Sequence, residues 1–375
     1  MKSTKFYIAL GSNKGDKFKN LQSAVDAIYN DIGHITKISR VYNSQAFGFE
    51  GDDFLNCCLA LSSRLQPQKV LDKLLEIETE LGRVRSAGAG YEARTIDLDI
   101  VFAEDHVVNT ETLQLPHPEM QNRRFVLLPL NDIAQKEKHP VLGKEVSILL
   151  EECMDQSELE PVNIWLKNPS KTFGFSDYNY IAIEGNIGAG KTSLANKIAN
   201  DFNAKLILER FADNPFLPKF YEDANRYAFA LEMSFLADRY QQISDDLAQL
   251  DLFKDFIVSD YDVFKSIIFS KITLHEDEFM LYRKLFNLMY KDLKKPDLYV
   301  YLYQNTKRLQ INIKKRGRDY EQNIADDYLE KINIGYLDFL KSQTDFNIKI
   351  IDISDRDFVE IRADYLWVLG EICGA

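Results

Sequence analysis

Cysteine is scarce in this 375-residue chain: only four occur, Cys57 and Cys58 side by side and Cys153 and Cys373 alone. That spacing supports neither a disulfide framework nor a C-x-x-C metal site, so reduced, packed thiols are expected. Long apolar runs are also absent. No stretch of about 18 apolar residues is available to cross a bilayer, and Met1-Lys2-Ser3-Thr4-Lys5 leads straight into the apolar Phe6–Leu10 without a signal-like segment. A cytoplasmic location, with no membrane partner, is the resulting expectation. Positive charge is in deficit, 46 Lys and Arg against 58 Asp and Glu, a net charge of -12. A nucleic-acid polymer is thereby disfavoured, because its binders carry basic stripes that neutralise many phosphates. The basic residues cluster instead in short loops, Arg83-Val84-Arg85, Arg123-Arg124 and Lys314-Lys315-Arg316-Gly317-Arg318, a supply suited to the few phosphates of a small molecule. Internal repeats and low-complexity tracts are missing too.

What is present is enough apolar residue, 45%, for two ordinary cores. The pattern of elements fades between 151 and 177, around Glu158-Leu159-Glu160-Pro161 and Lys167-Asn168-Pro169-Ser170. A first domain over 1–160, a linker over 161–177 and a second domain over 178–375 are expected. Upstream, the periodicity predicts strand 5–10, helix 17–31, strands 35–42 and 54–63, helix 67–82, strand 96–103 and helix 122–134, an α+β mixture. Downstream it predicts strand 178–184, helix 191–202, strand 205–209, helices 225–249 and 276–291, strand 298–303, and helices 306–315 and 325–342. That is an α/β domain with a short parallel sheet wrapped by helices.

The most specific motif is Gly185-Asn186-Ile187-Gly188-Ala189-Gly190-Lys191-Thr192-Ser193, a G-x-x-x-x-G-K-T phosphate loop between a predicted strand and a predicted helix. Glycines let the backbone turn its N–H groups inward, and the helix N-terminus adds its dipole. Lys191 is expected to reach the terminal phosphates of ATP and Thr192 to hold Mg²⁺. In the first half, Arg94-Thr95-Ile96-Asp97-Leu98-Asp99-Ile100 alternates with period two, which projects Asp97 and Asp99 from one strand face. Two adjacent carboxylates suit a hard cation that keeps its waters and takes substrate phosphates, although D-x-D alone also fits a solvated edge strand. Arg83 and Arg85, and Arg94 beyond the glycine-bearing segment 86–93, add charge for phosphoryl transfer.

Five motifs in order, Ala9-Leu10-Gly11-Ser12-Asn13, Phe54-Leu55-Asn56, Leu81-Gly82-Arg83-Val84-Arg85, Arg94-Thr95-Ile96-Asp97-Leu98-Asp99-Ile100 and Leu115-Pro116-His117-Pro118, make residues 4–155 resemble 6-hydroxymethyl-7,8-dihydropterin pyrophosphokinases. The resemblance implies a ferredoxin-like α+β fold and a reaction in which the pterin hydroxymethyl oxygen attacks the β-phosphorus of ATP and AMP leaves. It also implies Asp97 and Asp99 as ligands of Mg²⁺, Arg83 and Arg94 as catalytic-loop arginines, His117 and Arg123 as ATP contacts, and Phe54, Asn56 and Phe125 around the pterin. Two rings can sandwich a flat heterocycle while an amide both donates to and accepts from its edge. The chain departs from the family in the loop after Arg85, which lacks its tryptophan and proline, and at Thr112, where an arginine contacts nucleotide.

In the second half no N-K-x-D string follows the phosphate loop, which disfavours a GTP switch; the one such string, Asn13-Lys14-Gly15-Asp16, lies upstream. Leu206-Ile207-Leu208-Glu209-Arg210 delivers Glu209 from a strand end, where it can take a proton from an attacking hydroxyl. With Asn214-Pro215-Phe216-Leu217, Phe220-Tyr221-Glu222, Arg226-Tyr227 and Arg316-Gly317-Arg318-Asp319-Tyr320-Glu321, residues 178–375 resemble the P-loop deoxynucleoside kinases. The resemblance implies Glu209 as general base for a sugar 5′-hydroxyl, Tyr221 as a sugar contact, Arg316 and Arg318 as lid arginines, and a homodimer through this domain. Where the family carries an acid-Arg-Ser string, this chain has Ser259-Asp260-Tyr261-Asp262, so Asp260 remains for the Mg²⁺ shell and one positive contact must come from elsewhere. Glu232 replaces a base-reading glutamine; an acceptor-only carboxylate favours an amino-bearing base edge, and deoxyadenosine or deoxyguanosine is expected. Competing readings are a nucleotide-binding regulatory or oligomerisation module and a nucleoside monophosphate kinase.

Overall fold

The computed structural model describes residues 3–45, 51–83, 93–210, 214–249, 251, 253–291, 293–343 and 347–374. The segment 84–92, with Arg85 and most of the glycine-bearing loop, lies outside them. Contacts divide the chain into two compact units, Met1–Thr172 and Phe173–Ala375.

The first unit runs β1 (Thr4–Ser12), α1 (Lys17–Asp31), β2 (His34–Ile38), β3 (Tyr42–Ser44), β4 (Phe54–Ser63), α2 (Pro67–Glu80), β5 (Asp97–Ala103), β6 (Val108–Asn109), β7 (Gln114–Leu115), α3 (Arg124–Ala134), α4 (Val146–Glu152) and β8 (Leu159–Pro161). Its main sheet is antiparallel in the order β5-β1-β4-β3-β8, with β2 also on β4. Period-two alternation buries both faces of β1: Tyr7 joins Cys58, Ala60 and Phe102 under α3 and α4, and Phe6, Ile8 and Leu10 are buried from the opposite side. α1 starts where Asp16 accepts from the Lys19 N–H (3.0 Å), and it buries Leu21, Ala24, Val25 and Ile28 at helical spacing. The single strand expected over 35–42 is two strands. Ser39 breaks the run, using its hydroxyl to accept the Cys58 N–H at 2.9 Å, so that β2 and β3 pair with opposite ends of β4. Residues 161–172 do not leave this unit: the Asn168 amide donates to the Ile35 carbonyl (2.9 Å), and Lys167 and Gln22 exchange two hydrogen bonds.

The second unit runs β9 (Tyr180–Gly185), α5 (Lys191–Asp201), β10 (Lys205–Ile207), α6 (Leu217–Glu222), α7 (Ala224–Ala248), β11 (Ile257–Ser259), α8 (Lys265–Thr273), α9 (Glu276–Met289), β12 (Leu298–Tyr303), α10 (Thr306–Arg316), α11 (Asp326–Lys341), β13 (Ile348–Asp352) and α12 (Arg362–Cys373). All five strands are parallel, in the order β10-β11-β9-β12-β13. Ile181, Ile183 and Val300 face a core closed by α5, α10 and α12, whereas Tyr180, Ala182 and Tyr301 face α8 and α11. Burial on both faces is what makes these strands read as continuous apolar runs. β10 stops at Ile207, short of the expected residue 209, because side chains take over its ladder: Gln242 donates to the Leu208 carbonyl and Asp260 accepts the Glu209 N–H at 2.8 Å. Among the described residues no helix is long and apolar enough to cross a membrane.

Candidate active sites

In the first unit, β1 and β5 set the floor of a cavity of about 290 Å³ lined by Phe54, Asn56, Arg83, Arg94, Asp97, Asp99, Arg123 and Phe125. Asp97 pairs with Gly11 and Asp99 with Ala9, so the carboxylates stand beside the smallest side chains of β1. Gly11 has a steric role: a Cβ there would lie 3.2 Å from Asn56 Oδ1. Asp97 receives two arginines, Arg83 Nη1 on Oδ1 at 2.5 Å and Arg94 Nη1 on Oδ2 at 2.6 Å. Both are placed by local structure. α2 ends through Gly82 at φ +85, and Arg83 N–H returns to the Glu78 carbonyl; Arg94 is held by backbone and side-chain bonds to Asn13. Burial, then the charges of Asp97 and Glu78, push Asp99 up to about 7.

Glu78 escaped the sequence reading. It is buried on α2, accepts the Leu98 N–H at 2.8 Å and pairs with Arg83, tying α2 to the carboxylate strand. Its only signal is an acid following Val70, Leu74 and Ile77 on the buried stripe. Asn56 donates to Ser44 Oγ at 2.8 Å, which orients its amide. Phe125 and Arg123 stand together, the guanidinium 6.0 Å from the ring centroid. His117 does not line the cavity; it accepts the Glu119 N–H, and burial, then the Arg123 charge, lower its pKa.

In the second unit, one pocket of about 130 Å³ gathers Lys191, Thr192, Glu209, Tyr221, Glu232, Asp260, Arg316 and Arg318, side chains drawn from strand ends and helices spread between positions 191 and 318. Its rim is the phosphate loop. Gly188 (φ +82) and Gly190 (φ +87) need to be glycine, since a Cβ would come within 2.9 Å of Ile313 and 2.8 Å of Phe358. Asn186 is buried and its side chain donates to the Leu329 carbonyl and to Asn333, an anchoring use; Gly185 ends β9, Ala189 is buried, and Ser193 lies in the first turn of α5. Lys191 Nζ lies over the loop on the Gly185 and Asn186 carbonyls (2.8 and 3.0 Å), and burial, then the neighbouring Lys265 charge, lower it to about 8. Thr192 Oγ1 donates to Asp260 Oδ2 at 2.5 Å.

Glu209 is held by two cations. Arg239 donates twice to Oε1 (2.8 and 2.9 Å) and Lys265 once to Oε2 (2.6 Å). Burial alone would raise its pKa, but Lys265 and Arg239 outweigh burial and hold it well below the carboxylate range. Glu232 is 3% exposed; Thr273 donates to its Oε1 at 2.9 Å, Oε2 has no protein partner, and burial pushes the group up to about 7. Arg316 and Arg318 both pair with Glu321, and Tyr320 stacks on Tyr221 at 6.0 Å. Arg239 and Lys265 were not singled out in the sequence: each sits inside a helix with no motif around it. Among the described residues no three or more His, Cys, Asp or Glu converge as a metal cage. Asp97 with Asp99, and Asp260 with Thr192, are oxygen donors of the kind that suit a cation completed by water and phosphate oxygens.

Comparison with known proteins agrees with this division. Residues 7–135 match the family described as 7,8-dihydro-6-hydroxymethylpterin-pyrophosphokinase, and residues 181–372 match the family described as deoxynucleoside kinase. The chain is 40% identical over 131 residues to a 2-amino-4-hydroxy-6-hydroxymethyldihydropteridine pyrophosphokinase of Porphyromonas gingivalis, covering 34% of this chain and 89% of that one. It is 35% identical over 190 residues to a deoxyguanosine kinase of Bacillus subtilis, covering 50% of this chain and 92% of that one. A solved structure of deoxyadenosine kinase from M. mycoides with bound dATP matches at 25% identity and a TM-score of 0.45, covering 50% of this chain and 97% of that chain.

Proposed function

The chain belongs to the 7,8-dihydro-6-hydroxymethylpterin-pyrophosphokinase family through its first unit and to the deoxynucleoside kinase family through its second, and from that premise we propose how its two sites divide the use of ATP. The first transfers pyrophosphate from ATP to 6-hydroxymethyl-7,8-dihydropterin and releases AMP. The second transfers the γ-phosphoryl group of ATP to the 5′-hydroxyl of a purine deoxynucleoside and releases ADP.

In the first site Phe54 and Phe125 flank the pterin ring and Asn56, oriented by Ser44, reads its edge. Arg83 and Arg94 move from Asp97 to the phosphates as substrate enters, spreading the charge that develops on the transferred group. Arg123 and His117 meet the nucleotide. Asp97 and Asp99 would hold Mg²⁺, which when bound neutralises phosphate charge. In the second site the loop amides and Lys191 cradle the phosphates, Thr192 and Asp260 would hold Mg²⁺, and Arg316 and Arg318 exchange Glu321 for the transferring group. Glu209 retains lone pairs for the 5′-hydroxyl after its ion pairs are counted, and the hydroxyl proton passes to it as the P–O bond forms. Tyr221 contacts the sugar.

The observation that carries the base assignment is the unpartnered Oε2 of Glu232 in the pocket wall. An ionised carboxylate accepts from two adjacent N–H groups, as on the guanine edge, and its protonated form can donate to N1 of adenine while accepting from the amino group. The deoxyguanosine kinase of Bacillus subtilis supports a purine substrate by similarity. Incubation with ATP and Mg²⁺ plus the pterin or each deoxynucleoside tests the reading: AMP is expected only with pterin and ADP only with purine deoxynucleosides. No ADP with any nucleoside sinks the kinase half and favours a nucleotide-binding module. The same reading places the protein in the cytoplasm, and places a homodimer contact in the second unit, measurable by sedimentation.

A further inference from the structure

The family pattern sets an arginine after the acid that closes β11, and this chain has Tyr261 there, fully buried. The backbone then turns through Asp262, whose N–H donates to Glu184 Oε1 at 2.6 Å and whose carbonyl accepts the Lys265 N–H, launching α8. That turn sends Lys265 into the pocket, where its ammonium lies 2.6 Å from Glu209 Oε2, with side chains 11% and 9% exposed. We infer that Lys265 is the positioning residue that replaces the missing arginine, fixing the Glu209 carboxylate beside the 5′-hydroxyl. The inference rests on the kinase reading of this site.

Among the described residues, charged groups reach Glu209 from several elements. Arg239 comes from α7, Lys265 from α8, Lys191 from α5, Asp260 from the end of β11 and Glu184 from β9. Arg239 is fixed on the other oxygen: its Nε and Nη2 both donate to Oε1, and its Nη1 donates to Ser266 Oγ at 2.8 Å. Removing Lys265 takes away the ion-pair partner of Oε2 while Arg239 stays on Oε1, so the carboxylate loses one of its two anchors.

The test is the separate kcat and KM of ADP formation with the best deoxynucleoside, for the parent, K265M and K265R. K265M is expected to lower kcat by about 10²-fold and to leave KM for the deoxynucleoside within about threefold, while K265R recovers kcat to within about tenfold of the parent. AMP formation with pterin reports on the first unit in every sample and should not move. Thermal melting is followed in parallel, and if K265M fails to fold, K265Q, which keeps a polar head in the pocket, takes its place in the same measurement. A kcat within about threefold of the parent overturns the inference, as does a loss confined to KM or K265R losing as much kcat as K265M. A parent that makes no ADP from any deoxynucleoside overturns the kinase reading instead, so the two failures are distinct.

Discussion

Glu232 shows what a single buried carboxylate costs and why a protein keeps one. Its folded pKa of about 7 lies above the 4.5 of a free glutamate, with burial the main cause. Between those values the folded state holds more protons than the unfolded chain, so stability falls as pH rises from about 4.5 to about 7 and is flat above. The shift corresponds to about 3 kcal/mol at most. Glu232→Gln should reduce that decline: the second unit's melting temperature is expected to drop between pH 5 and pH 8 in the parent and to drop less in the variant. An equal decline in both would assign the pH dependence elsewhere, for example to Asp262, which burial also pushes up to about 7. The identity of Glu232 as a pocket residue was legible from its place in a motif, but its unpaired oxygen was not, because pairing depends on Thr273 of another helix. The same holds for Asp97. Its spacing from Asp99 follows from strand period, whereas its two guanidinium partners depend on where α2 ends and on Asn13.

Elements fail and succeed for local reasons. Helix 17–31 and strands 54–63 and 298–303 were legible to the residue because caps, apolar spacing and bounds coincide. α8, nine residues long, carries too little periodicity to stand out, yet it delivers Lys265. The phosphate loop is the opposite case, a motif whose glycines are required by φ and by crowding against α10 and Phe358. Gly188→Ala would place a Cβ 2.9 Å from Ile313 Cγ1 and 3.1 Å from the Leu309 carbonyl, at a φ of +82. The expected loss is about 2–4 kcal/mol from strain and overpacking together. Differential denaturation should show the second unit destabilised and ADP formation lost, with AMP formation intact. Unchanged stability would mean that the loop can shift away from α10.

At the scale of the molecule, each unit closes its own core and lines its own cavity with basic and acidic side chains. Reciprocal variants follow. Asp97→Ala should lower AMP formation by about 10³-fold and leave ADP formation within about twofold; Lys191→Ala should lower ADP formation by at least about 10²-fold and leave AMP formation unchanged. Measuring both products in each variant decides the matter, and loss of both in either one would show that the activities are coupled.

By itself the sequence determined the two fold classes, the mid-chain phosphate loop and the shared strand face of Asp97 and Asp99, because strand period, glycine chemistry and helix spacing are local properties that survive without a third dimension. Only the tertiary structure decided which charges meet. Glu78 beneath Arg83, Arg239 and Lys265 on Glu209, Asp260 on Thr192 and the open oxygen of Glu232 are set by side chains from separate elements converging in a buried volume. There a few ångströms separate a strong interaction from none, and sequence distance carries no record of it.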